Sequence, residues 1–186
     1  MKYFKVAIVI LVSLTWGCSS ITVDTDFDPE IDFSAYKAYV WYTGETAEDD
    51  QLAANPLVKK RVMHGVDNAL EAKGYSKGTQ DGAEFVILVQ AGSKERMQVT
   101  SYGHGGYGYG RYRRGSGWGG TTQTDVTYYD ETTLIIDIID LNKKELAWRG
   151  TGSGIVKKYD NQEEMQEGID NVVAKILTDF PPDVTE

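Results

Sequence analysis

The chain has 186 residues, 28 of them acidic, 19 basic and one cysteine, with a net charge of −9. That length admits one domain with short appendages, and 41% hydrophobic residues can fill its core. A single cysteine excludes an internal disulfide framework and a thiolate zinc site. The acidic balance argues against a dedicated nucleic-acid binder, which needs a basic face.

The first residues read as an address. Met1-Lys2-Tyr3-Phe4-Lys5 is a short positive start, and Val6 to Leu14 is an apolar run broken only by Ser13. Thr15-Trp16-Gly17-Cys18 follows. A positive region, a short apolar region and a small residue before a cut site describe a secretory signal peptide. The run falls short of the roughly 20 residues that a membrane-spanning helix needs. The end of the segment resembles the bacterial lipobox, where the cysteine is acylated and becomes the mature N-terminus. Gly17 and Cys18 fit that pattern and Thr15 departs from it, since leucine is usual there. The resemblance implies a lipid anchor on Cys18, and the Ser19 that follows, by resemblance to the sorting rule of enteric bacteria, implies the outer membrane, where the domain is expected to face the periplasm. Two or more acyl chains hold stably where one does so marginally. Loss of residues 1–17 removes Lys2 and Lys5 and no acid, lowering the charge from −9 to −11. Lipid, not basic side chains, must then be the anchor.

Residues 18–20 form a short tether, because Ile21 to Phe27 already alternates apolar and polar residues as a strand does. At about 3.5 Å per extended residue such a tether reaches only about 10 Å. Asp28-Pro29-Glu30 breaks the strand. Tyr36 to Tyr42 reads as a second strand, and Gly44 to Ala54 as an acidic loop. Asn55-Pro56 starts a helix, with asparagine at the cap and proline at the first helical position. Val58, Val62, Val66, Ala69 and Leu70 share one face, His64 lies opposite, and Gly74 ends the helix. Ala83 to Ala91 is a nearly continuous apolar strand that can extend to Val99. Thr121 to Tyr129 and Thr132 to Leu141 read as one long strand or two collinear ones. After a turn at Asp140 to Lys143, Glu145 to Val156 is a strand whose alternation sets Leu146 and Trp148 on one face. Asn161 and Glu164 form a capping-box pattern ahead of a helix with Met165, Ile169, Val172, Val173, Ile176 and Leu177 on its apolar face. Phe180-Pro181-Pro182 ends it, and residues 183–186 are a tail.

This order predicts a single two-layer α+β domain over residues 21–182. Its sheet is mostly antiparallel, with both amphipathic helices on one face and a long Gly/Tyr/Arg-rich hairpin loop. No alternating strand–helix series points to a doubly wound nucleotide-binding fold.

The loop, at about residues 102–120, carries nine glycines among the 18 residues from Gly103 to Gly120. Interleaved are Tyr102, Tyr107, Tyr109, Tyr112 and Trp118, with Arg111, Arg113 and Arg114. Ordering so many glycines is entropically costly, so the segment reads as a loop and not as core. Aromatic faces stack on sugar rings and arginines pair with phosphate or carboxylate, which makes these eight residues the candidate binding set. Another envelope protein or a glycan is the partner class; the competing reading is a low-complexity hairpin tip without a fixed partner. The segment lacks the GxxxxGK[ST] pattern of a phosphate cradle.

No metal or cofactor is expected. Asp24, Asp26 and Asp28 open like a calcium loop, but Pro29 and Ala35 stand where that loop needs glycine and glutamate. A Ser/His/Asp triad needs a rigidly oriented histidine, and His64 and His104 offer none. The sequence therefore leans away from an enzyme, although a carboxylate-pair hydrolase of envelope polymers is an alternative. A self-associating structural envelope protein is the other.

Several pieces together resemble domain-of-unknown-function family 4136, a family of bacterial envelope lipoprotein domains. They are Val23 to Asp26; Asp32-Phe33-Ser34-Ala35-Tyr36-Lys37 leading to Val40-Trp41; Leu70 to Tyr75; and Ala83-Glu84-Phe85. Asp137 to Asp140, Ala147-Trp148-Arg149-Gly150 and Asp179-Phe180-Pro181-Pro182 complete the set. The resemblance implies a small α+β envelope lipoprotein and supplies no activity.

Overall fold

The computed structural model describes residues 21–102, 123–155 and 159–183, with the backbone alone described over 94–102 and 123–130. The signal segment, Cys18 and the glycine-rich loop beyond Tyr102 lie outside the described residues.

The chain forms β1 (Thr22–Phe27), a 3₁₀ turn (Phe33–Ala35), β2 (Ala38–Trp41), α1 (Gln51–Ala54), α2 (Pro56–Ala72) and β3 (Ser76–Lys77). Then come β4 (Phe85–Tyr102), β5 (Gln123–Asp140), β6 (Glu145–Ile155), α3 (Gln162–Ile176) and a 3₁₀ turn at Leu177–Asp179. One six-stranded sheet has the order β1-β6-β5-β4-β2-β3. The β1–β6, β6–β5 and β5–β4 pairs are antiparallel, whereas β2 runs parallel to both β4 and β3. The sheet is thus mixed, because α2 carries the chain from β2 back to the same end of the sheet, as a parallel pair requires.

The two long helices cover one face. Proline at the first turn starts α2, although the Asn55 side chain donates to the Gln51 carbonyl instead of capping the helix. Val62, Val66 and Leu70 are buried, His64 is exposed, and Gly74 ends the helix at φ +92°. Asn161 caps α3 by accepting from Glu164 N at 2.9 Å. Val173, Ile176 and Leu177 bury against the sheet. Gly150 and Gly152 on β6 let α3 approach. A Cβ on Gly152 would stand 2.7 Å from Ile176, and one on Gly150 would collide with Trp148 and Ile176.

Two local expectations change. The acidic segment read as a loop holds α1. There Asp50 Oδ1 caps Leu52 N and also accepts from Ala91 N, an edge amide of β4 beyond the end of β2. Leu146 and Trp148 do not share a face. The β5–β6 register slips between Ile138 and Ile139, so Ile138 opposes Trp148 while Ile139 opposes Leu146. The bulge makes Ala147 an extra residue; Ala147 and Trp148 are both buried, and Leu146 is exposed.

β4 and β5 are each one uninterrupted strand of 18 residues. β2 ends at Trp41, opposite Ile87, and β6 ends at Ile155, opposite Glu131. Beyond the Lys94–Glu131 pair the two strands therefore continue as a ribbon to the Tyr102–Gln123 pair.

Candidate functional site

Of the eight residues proposed for binding, only Tyr102 falls within the described backbone, as the last residue of β4 paired with Gln123. Tyr107, Tyr109, Arg111, Tyr112, Arg113, Arg114 and Trp118 lie outside the described residues, in the segment that joins the two paired strand ends. Cys18 lies four positions before β1.

Among the described side chains the polar groups are arranged as supports. The Tyr36 hydroxyl donates to Asp140 Oδ2 at 2.9 Å, while Asp140 Oδ1 accepts from Asn142 N and Lys143 N. The Tyr39 hydroxyl and Trp41 Nε1 both donate to Asp67 Oδ1, and Lys77 reaches Asp67 Oδ2 at 3.2 Å. Burial, then the neighbouring carboxylate, pushes both phenols far above the usual tyrosine range, so they act as neutral donors. Glu84 accepts from Ala38 N and Lys37 N at 2.7 and 3.1 Å. Those amides, Ala38 first, hold its carboxyl below the usual range.

The sheet face away from the helices carries a second arrangement. Val40, Val86, Ile139 and Leu146 lie in one row across β2, β4, β5 and β6. In the next row Leu88, Asp137, Arg149 and Asp26 are in register. Arg149 grips Asp137 with two parallel bonds of 2.6 and 2.7 Å. Asp137, hydrogen-bonded to it, raises the guanidinium's proton affinity further. In the sequence Arg149 is only one residue of the Ala147–Gly150 piece; its partner follows from the cross-strand register.

A shallow open cleft of about 840 Å³ lies where the 3₁₀ turn, the end of α2 and the Pro181-Pro182 segment meet. Phe33, Tyr36 and Tyr75 line it, with Lys37 and Lys73 beside them. Phe180 stands behind, 6.2 Å from Phe33, 5.5 Å from Tyr75 and 5.3 Å from Trp148 between ring centroids. The motif pieces Asp32–Lys37, Leu70–Tyr75 and Asp179–Pro182, distant in sequence, thus converge on one aromatic cluster. That cluster is a packing unit worth about 0.5–1.5 kcal/mol per ring pair beyond burial. Among the described residues no group of three or more His, Cys, Asp or Glu side chains is placed to hold a metal.

The fold is that of an α+β domain with its helices on one side of a mixed sheet. The chain belongs to the family described as "Domain of unknown function (DUF4136)", whose model matches residues 23–182. No curated protein sequence matches it. Among solved structures, a PDZ domain protein from Parabacteroides distasonis is similar at 12% identity with a TM-score of 0.54. The likeness covers 89% of this chain and 37% of that one, so this chain spans little more than a third of that protein's length. It shows the fold alone. A PelC dodecamer from Paraburkholderia phytofirmans is more loosely alike, at 14% identity and a TM-score of 0.46 over 85% of this chain and 95% of that one.

Proposed function

We propose that this protein is a lipid-anchored envelope protein of the bacterial outer membrane, facing the periplasm, whose domain binds a partner without catalysis. The observation that carries the reading is Cys18: the chain's only cysteine follows a short apolar run and Gly17, and stands four positions before β1. The described polar side chains support a binding role. The Tyr36 and Tyr39 phenols donate to Asp140 and Asp67, Asp137 holds Arg149, and His64 is exposed with Asn68 as its neighbour at 3.3 Å. The partner, an envelope protein or a glycan, meets the glycine-rich loop with its tyrosines and arginines.

Cys18→Ser tests the anchor. Labelled palmitate is expected in the wild-type protein and absent from the variant, which leaves the membrane fraction. Unchanged membrane association of the variant would overturn the reading. In-cell crosslinking of wild type against a chain lacking residues 102–120 tests the partner. Capture by wild type alone places binding on the loop, and identical capture removes it from there.

A further inference from the structure

The sheet register fixes which end of the domain a lipid on Cys18 would hold. Thr22 opposes Ser153, Ser153 opposes Thr133, and Thr133 opposes Gly92. The first strand therefore starts in the row just before the β4–β5 ribbon leaves the sheet. β1 then runs away from that end, towards Phe27 and the aromatic cleft.

Two lengths decide the orientation. Four residue steps join Cys18 to Thr22, and extended chain covers at most about 14 Å in that span. β1 is six residues and so about 20 Å long. For the cleft end to rest on the bilayer, the tether would have to run back along the whole of β1, which exceeds its reach. The ribbon, in contrast, extends ten residues past Gly92, about 33 Å before twist shortens it. It overshoots the anchor point, so it either enters the headgroup layer or lies along it.

Resting on the lipid anchor at Cys18, we infer that the β4–β5 ribbon, residues 94–102 and 123–130, is a membrane-contact element that lies against the bilayer holding that lipid. Its residue content suits an interface. Met97 is paired in register with Tyr128, Val99 with Val126, and Arg96 with Tyr129, with Tyr102 at the end. Tyrosine favours the boundary between headgroups and acyl chains. The acids Glu95, Asp125 and Asp130 against Lys94 and Arg96 give no cationic surface, so contact depends on the anchor and on apolar and tyrosine residues, not on anionic lipid.

The test uses the full-length lipidated protein in vesicles of phosphatidylethanolamine and phosphatidylglycerol. With Cys18 acylated, Gln98→Cys, Val99→Cys or Ser34→Cys each supplies one site for a nitroxide; the first two are successive ribbon positions and sample both its faces, while Ser34 is exposed at the far end. Accessibility to oxygen relative to a water-soluble nickel chelate is read for each label. A several-fold rise is expected at 98 or 99 on going from the lipid-free Cys18→Ser form to the vesicle-bound form, with no change at 34. Lipid present by palmitate labelling but both ribbon labels as wet as Ser34 would overturn this inference and leave the anchor standing. Absence of palmitate would overturn both. Ribbon labels equally protected in the lipid-free form, in a concentration-dependent manner, would assign the ribbon to a second copy of this chain and also overturn the inference.

Discussion

Single side chains set the pH response. Glu84 sits where β4 begins, and its carboxylate ties the amides of Lys37 and Ala38 at the start of β2. Its folded-state pKa lies below the ordinary 4.5. The stabilisation is therefore complete above 4.5 and is lost as pH falls through the lower folded value. Glu84→Gln should lower the urea midpoint at pH 7, and the gap from wild type should close as pH is lowered below 4.5. A gap that stays constant with pH would show that the carboxylate charge contributes nothing. The doubly bonded ion pair of Arg149 with Asp137 was not legible as a pair, because two residues twelve positions apart meet only once the β5–β6 register is known. The Tyr36–Asp140 bond, 104 positions apart in sequence, was hidden for the same reason.

At the scale of elements, hydrophobic periodicity gave both long helices, their apolar faces and the cap at Asn161, because each is a local signal of many residues. It failed where local signal is short or irregular. β3 is two residues, α1 is four, and the bulge at Ala147 shifts the β6 alternation by one. Neither an extra residue in a strand nor its partner is visible in a single strand's pattern. The parallel pairing of β2 was equally hidden, since strand direction depends on where α2 returns the chain. The contact between α3 and β6 makes a definite prediction. Gly150→Ala adds a methyl group into the space of Trp148 and Ile176, both fully buried. It should cost about 1–3 kcal/mol by overpacking, read as a lower denaturant midpoint. An unchanged midpoint would mean that Ile176 yields freely.

For the whole molecule, the α+β class and the family were legible, since the order of elements and the spacing of the motif pieces carry them. The candidate site was legible only as composition: the glycines and tyrosines of the loop mark it, and the structure adds the ribbon from which it departs. Tyr102 and Gln123 form the last described pair of that ribbon. Replacing residues 103–122 by a two-residue Asn-Gly turn should therefore leave the domain folded. Shortening the connection should raise stability by up to about 2 kcal/mol through loop-closure entropy. Thermal unfolding measures this; a loss of several degrees would show that the loop braces the domain.

The strand order has a consequence for the timing of folding. β1 pairs with β6 alone, and Thr151 on β6 bonds the carbonyl of Asp24 across 127 positions of chain. The first strand to leave the ribosome has no neighbour until nearly the last is made. As the chain emerges, its leading strand therefore cannot be locked into the sheet until β6 has been synthesised. Closure of β1 onto β6 is then a late step in assembling the sheet.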